Sequence, residues 1–154
     1  MKSLAWRRGL ALILVTLVAG AALFGSAVGA IARVRTLPLL GSSVFYAPQA
    51  KGFGTAHPST ISNGGDPSGI VTRIRWKGWG SPTAIGYGLN SIFKPNGGYY
   101  PRLVRIELRA QQLVRCEGKL VYRQLSVRLP ARPGGPLGKW FLWSGAKSLC
   151  AKSP

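Results

Sequence analysis

The stretch IVTRIRWK, residues 70–77, decides the fold class of this chain. Apolar or β-branched side chains occupy every second position: Ile70, Thr72, Ile74 and Trp76. Basic side chains occupy the positions between them: Arg73, Arg75 and Lys77. A period of two is typical of a half-buried β-strand, so we predict that the first set faces a core and the second faces water.

The same alternation recurs further along the chain. Between Arg102 and Ala110, inward candidates (Val104, Ile106, Leu108) alternate with Arg105, Glu107 and Arg109. Residues 119–129 are also strand-like but change phase, which predicts a bulge near Gln124. Residues 83–89 and 139–143 are further strand candidates, and Gly and Pro clusters separate all of these runs. We therefore predict an all-β, single-domain antiparallel sandwich or barrel after an N-terminal hydrophobic helix.

The charge balance is the strongest compositional signal. The 154 residues include 21 Lys and Arg but only three Asp and Glu, for a formal net charge of +18. Such a field attracts polyanions, so an anionic polymer or an anionic membrane surface is the expected partner. The alternative interpretation is that the arginines serve only solubility.

The first 32 residues predict export. Lys2, Arg7 and Arg8 precede an uncharged stretch from Gly9 to Ala32, which ends in an A-x-A pattern. This layout is typical of a signal peptide, but the stretch is also long enough for an uncleaved membrane anchor. Both alternatives predict a secreted or membrane-anchored domain outside the cytoplasm. We divide the chain into a leader (1–32), a connector (33–57) and a β-rich domain (58–154).

The two cysteines, Cys116 and Cys150, both follow the leader. A pair of cysteines in a small exported domain predicts a disulfide. A metal site is not predicted, because two thiols and His57, the one histidine, offer too few ligands.

A family resemblance rests on a series of short motifs. These are PSTI at 58–61, WKGWG at 76–80, AIGYG at 84–88, Cys116, and YRQLSV at 122–127. The order resembles a group of small exported actinobacterial proteins, over Pro58 to Leu129. The resemblance implies a secreted or surface β-domain whose activity is unknown. Those proteins tend to carry a second cysteine in the loop near Pro95, where this chain has none, so their disulfide pairing is not carried over.

The motifs do not predict a catalytic residue or a cofactor. We expect a non-catalytic binding module of the cell envelope with a basic face and aromatic edges. The candidate residues are Arg73, Arg75, Lys77, Trp79, Tyr99, Tyr100, Arg105 and Arg109. Of the remaining aromatic residues, Trp76, Trp140 and Phe141 are predicted to lie in the core. The alternative is a small secreted hydrolase or nuclease that uses His57 as acid and Glu107 as base.

Overall fold

The computed structural model of the chain describes residues 36–45 and 48–150. The predicted leader lies outside these residues. Within the described part, no helix has the length and apolar character needed to cross a bilayer. The described residues form seven strands: β1 (Leu39–Leu40), β2 (Ile61–Ser62), β3 (Ile70–Lys77), β4 (Thr83–Asn90), β5 (Val104–Cys116), β6 (Lys119–Arg128) and β7 (Phe141–Leu142). The same residues also form two 3-10 turns, Pro67–Gly69 and Trp143–Gly145.

All seven strands join one sheet, in the order β1-β6-β5-β4-β3-β2, with β7 also paired to β6. The β1–β6 pair is parallel and the other strand pairs are antiparallel, so the sheet is mixed. It curls into a half-barrel around the core. The prediction of an all-β domain is confirmed, and the barrel alternative describes this curled sheet better than a two-sheet sandwich does.

The β5–β6 hairpin contains the longest strand pairing. It runs from Glu107 opposite Arg128 to Cys116 opposite Lys119. Glu117 and Gly118 form the turn, and both have positive φ (50° and 78°). Two consecutive positive φ angles match the twist of a tight two-residue hairpin.

Strand β3 contains a bulge that simple alternation does not predict. Thr72 pairs with Leu89 and Arg75 pairs with Tyr87, so two residues of β3 oppose Gly88 alone. Arg73 absorbs the extra residue with a φ of +53°. The bulge reverses the phase of the strand, because each inserted residue moves its neighbours to the other face. The predicted inward orientation of Ile70 is therefore wrong: Val71 is buried in its place, and Ile70 is exposed.

Strand β5 follows the predicted alternation, since Val104, Ile106 and Leu108 are buried. The predicted bulge near Gln124 is wrong, because β5 and β6 keep one register on both sides of that residue. The local irregularity is at Gln112, whose φ is +60°. Its Oε1 accepts hydrogen bonds from Nε and Nη2 of Arg123 (3.1 and 2.7 Å).

Two inward-facing glycines of β4 allow β3 side chains to pack closely on the sheet. A Cβ on Gly86 would lie 2.9 Å from Cζ3 of Trp76, and one on Gly88 would lie 2.6 Å from Cγ1 of Val71. These distances are too short for any larger residue without a shift of its neighbours. The A-x-G-x-G motif is therefore a packing feature of the core.

The described part of the predicted connector belongs to the packed domain. Leu39 and Leu40 form β1 beside β6, and Leu40 is fully buried. Phe45 and Phe53 are also buried in the same core. The packed domain therefore begins upstream of Pro58, because these apolar side chains of the 33–57 segment are part of its core.

The predicted disulfide between Cys116 and Cys150 is confirmed. It joins the end of β5 to the C-terminal segment across 34 positions of sequence. Leu149 beside it is fully buried, and its backbone N–H donates to the Arg123 carbonyl (2.7 Å). Closing a loop of this length stabilises the fold by about 3–4 kcal/mol.

Candidate polyanion-binding face

The outward-facing residues of β3, β4 and β5 line an open groove of about 650 Å³. Its polar and aromatic character comes mainly from the side chains of Arg73, Arg75, Tyr87, Arg105 and Glu107. Leu89, and Leu137 from the loop that precedes β7, add apolar lining. We call this depression the basic groove.

Strand register explains why these side chains meet. Tyr87 pairs with Arg75 on one side and with Glu107 on the other, while Leu89 pairs with Arg105. Directly opposed residues in a sheet point to the same face. The chain therefore places an exposed phenol ring in the centre of the groove, with arginines on both flanking strands.

Three of the predicted arginines leave their charge available in the basic groove. Arg73, Arg75 and Arg105 are all exposed. Among the described residues, Glu107 and Arg128 form the one salt bridge, so none of these three arginines is paired with a carboxylate. An unpaired guanidinium presents a planar fork of donors that matches phosphate, sulfate or carboxylate oxygens.

Glu107, the one acid in the groove, is held by Arg128. Both Nε and Nη2 of Arg128 donate to its Oε2, at 2.8 and 2.5 Å. The Glu107 side chain is only 18% exposed. Because its charge is compensated locally, it does not neutralise the three arginines that flank it.

Arg109 is brought to the border of the groove but does not line it. Its guanidinium carbon lies 4.5 Å from the ring centroid of Trp140, and that of Arg128 lies 4.8 Å from the same centroid. Trp140 therefore stacks on two cations on the outer face, and its predicted core position is wrong. The indole covers Arg109, which is only partly exposed and thus less available to a ligand than the other arginines.

Lys77 lies beside the groove, with its Nζ 5.5 Å from the ring centroid of Tyr87. The amine and the phenol ring thus occupy neighbouring positions on the same face. Lys77 is exposed, so its charge adds to the field of the groove.

Trp79 does not provide the exposed aromatic edge that we predicted. Its Nε1 donates to the Pro38 carbonyl (2.8 Å), and its ring packs edge-on against Trp76 and Tyr122. Trp79 and Trp76 are both partly buried against the core. The predicted core position of Trp76 agrees with this packing. Trp79 was predicted to be an exposed ligand-binding residue, and it packs against the core instead.

Tyr99 and Tyr100 also lie outside the basic groove. Tyr99 stacks on Phe93, with ring centroids 4.5 Å apart, and Tyr100 packs against the core. Burial, together with a hydrogen bond to the Asp66 carboxylate, raises the pKa of Tyr99. These contacts give both tyrosines a local packing role.

The hydrolase alternative requires His57 and Glu107 to meet, and the structure does not bring them together. His57 is exposed and lies against Trp79, with ring centroids 4.9 Å apart. Glu107 lines the basic groove on the outer face of β5. Across residues 36–45 and 48–150, His, Cys, Asp and Glu side chains form no group of three that could hold a metal ion.

Four residues at this face were not predicted from the sequence: Tyr87, Arg128, Trp140 and Leu137. Tyr87 could have been found, because the small residues Ala84, Gly86 and Gly88 alternate with it and predict its outward position. Arg128 lies in β6 and reaches this face through the β5–β6 register, opposite Glu107. Trp140 and Leu137 depend on how the segment after β6 folds back, which local periodicity does not describe.

Comparison of the chain with protein-family models, curated proteins and solved structures finds no match. The chemistry of the basic groove is therefore the basis on which a function can be assigned.

Proposed function

We propose that this chain is an exported, non-catalytic module of the cell envelope that binds polyanions through the basic groove. The observation that carries the proposal is the convergence of Arg73, Arg75 and Arg105, all unpaired, around the exposed Tyr87 ring. The hydrophobic leader and the resemblance to small exported actinobacterial proteins support a location outside the cytoplasm.

The three arginines would bind the anionic groups of a polymer or a membrane surface. Each guanidinium can donate two hydrogen bonds to one phosphate, sulfate or carboxylate group. Binding would release counterions from the polymer, so the affinity should fall steeply with salt and depend little on sequence. Tyr87 would contribute a ring on which a base or sugar can stack.

Two contacts favour binding over hydrolysis. Nε and Nη2 of Arg128 both donate to Oε2 of Glu107, so that oxygen already has two hydrogen-bond partners within the protein. His57, the other candidate acid–base residue, contacts Trp79 and is not among the residues that line the groove.

The experiment compares two triple variants that lose the same charge. Arg73→Gln, Arg75→Gln and Arg105→Gln remove the groove arginines, while Lys94→Gln, Lys119→Gln and Lys147→Gln remove exposed lysines outside it. Each is titrated with single-stranded DNA, heparin and anionic vesicles at low and physiological salt. We expect the groove variant to bind about tenfold or more weakly. The slope of log affinity against log salt concentration should fall by about 0.7 for each phosphate contact with single-stranded DNA that is removed.

The lysine variant should retain affinity within about threefold, because distant exposed charges are screened. Equal losses in both variants would mean that binding depends on net charge and not on the groove. If the unmodified chain binds none of the three ligands at low salt, the proposal is wrong.

A further inference from the structure

A second depression, separate from the basic groove, has an uncharged lining. It encloses about 400 Å³, within the range of ordinary ligand pockets of about 300–1,000 Å³. Its principal residues are Asn90, Phe93, Val127, Leu129, Phe141 and Trp143. None of its lining residues is charged, although the chain carries a net charge of +18. We call it the neutral pocket.

Asn90 provides an unpartnered acceptor in the wall of the neutral pocket. Its side chain is almost fully buried, and its Nδ2 donates to the carbonyls of Ser68 (2.9 Å) and Ile70 (2.7 Å). Only the nitrogen of an amide can donate, so these carbonyls set the orientation of the group. Among the described residues, none donates a hydrogen bond to its Oδ1. This oxygen can accept a hydrogen bond from a ligand O–H or N–H.

Two exposed aromatic rings line the same pocket. Phe93 is 54% exposed and Phe141 is 50% exposed, which corrects the predicted core position of Phe141. Phe93 stacks on Tyr99, and this contact orients its ring. Exposed phenyl rings offer apolar faces on which the C–H groups of a ligand can pack.

A donor completes the set of polar groups. Nδ2 of Asn63 donates to Oγ of Ser144 (2.8 Å), which leaves the Ser144 hydroxyl proton free to donate to a ligand. The neutral pocket therefore combines an amide acceptor, the Ser144 hydroxyl donor, the Nε1–H of Trp143, which is buried without a partner among the described residues, and two phenyl rings, with no charge to attract an ion.

We propose that the neutral pocket binds an uncharged saccharide. A hexose ring would pack its C–H face on Phe93 or Phe141 and donate one hydroxyl to Oδ1 of Asn90. Hydroxyl groups both donate and accept, so they match a wall that carries an unbonded acceptor and two unbonded donors, the Ser144 hydroxyl and Nε1 of Trp143. This site does not depend on the basic groove and would bind its ligand without counterion release.

The test titrates the full chain with maltotriose and with triacetylchitotriose, two neutral trisaccharides. We expect saturable binding by at least one of them, detected by NMR and by a change in tryptophan fluorescence, to which Trp143 in the pocket contributes. The affinity should stay constant between about 50 and 200 mM salt, unlike that of a phosphate-binding protein. Phe93→Ala and Phe141→Ala change exposed side chains, so both variants should fold, and each should weaken binding by about tenfold.

Tyr87→Ala is the matched control, because it removes an exposed ring from the basic groove. This variant should keep saccharide binding and weaken only polyanion binding, so the two proposals can fail separately. Absence of binding by both sugars, or binding that both Phe variants retain, would overturn the saccharide site. Self-association that Phe141→Ala abolishes, with no sugar bound, would overturn it in favour of a second copy of the chain.

Discussion

Oε2 of Glu107 accepts two hydrogen bonds from Arg128, directly across the β5–β6 pair. The pairing partner of a strand residue is determined by register, so the two side chains meet on the same face of the sheet. Trp140 stacks on the same guanidinium and packs against it. Arg75 and Arg105 line the same groove as Glu107, and neither has a carboxylate partner among the described residues, so both remain available for an external anion.

Replacing Glu107 by Gln should increase the affinity of the basic groove for polyanions. The change removes a negative charge and releases Arg128, so we expect about twofold to tenfold tighter binding of single-stranded DNA at low salt. Loss of the partly exposed ion pair should lower the free energy of unfolding by about 1 kcal/mol. Glu117→Gln is the control, since it changes the net charge equally but lies in the β5–β6 turn. Equal effects of both changes would contradict a local role.

Tyr122→Phe should destabilise the domain by about 1–3 kcal/mol, as expected when a buried hydrogen-bonding group is removed. Its hydroxyl donates to the Ser81 carbonyl (2.7 Å) and accepts from the Gly80 N–H (2.8 Å), which ties the β3–β4 turn to β6. Urea unfolding would measure the change. A loss below about 0.3 kcal/mol would show that these bonds contribute little.

Alkaline pH should destabilise the protein through the same tyrosine. Burial raises the pKa of Tyr122 above its ordinary value of 10.0, because the buried site disfavours the phenolate. The folded state then holds the proton more tightly than the unfolded state does. This stabilisation is complete below pH 10 and is lost as the pH rises through the folded-state pKa.

The Tyr122→Phe variant is the control for this pH dependence. Its free energy of unfolding should fall less between about pH 9 and pH 11 than that of the unmodified chain. Identical pH profiles would show that another group causes the alkaline loss. The pKa of Tyr99 is also raised, but Tyr99 is present in both proteins, so its effect on the free energy of unfolding is the same in each.

Gly88→Ala should cost about 1–3 kcal/mol, the usual range for overpacking a core. The new methyl group would lie 2.6 Å from Cγ1 of Val71, so strand β3 must move away. Thr83→Ala, an exposed change in the same strand, should stay within about 0.5 kcal/mol. Thermal unfolding of both variants would test this difference, and equal stability would show that the sheet can relax at Gly88.

Removal of the disulfide by Cys116→Ser with Cys150→Ser should lower the free energy of unfolding by about 3–4 kcal/mol. The C-terminal segment would then be held by the burial of Leu149 and by its backbone hydrogen bond to Arg123. Limited proteolysis should cleave this segment faster in the variant. Thiol labelling of the unmodified chain without reductant should find no free thiol.

The outward charges of β5 could be predicted because one face of that strand packs against the core and the other faces the groove. Strict alternation then assigns Arg105 and Glu107 correctly. The same rule failed at Ile70, because the bulge at Arg73 inserts one residue and inverts the phase. A bulge depends on which residue of the partner strand lies opposite, so one strand read in isolation does not reveal it.

The aromatic residues were predicted least well. An indole or phenyl ring gains free energy by burial wherever an apolar surface is available, so its identity does not specify its location. Trp79 is partly buried because Trp76, Tyr122 and the Pro38 carbonyl surround it. Trp140 stacks on two arginines from strands more than ten positions away in sequence.

Local periodicity, charge and cysteine count determined the strands, the basic outer face and the disulfide, because each depends on neighbouring residues or on composition. The tertiary structure decided which of those charges share a groove, since Arg73, Arg75 and Arg105 meet only through the register of β3, β4 and β5. It also decided that β1 and the C-terminal segment complete the core. These relations join residues far apart in sequence, and the chain forms them only when the sheet curls and buries its apolar face.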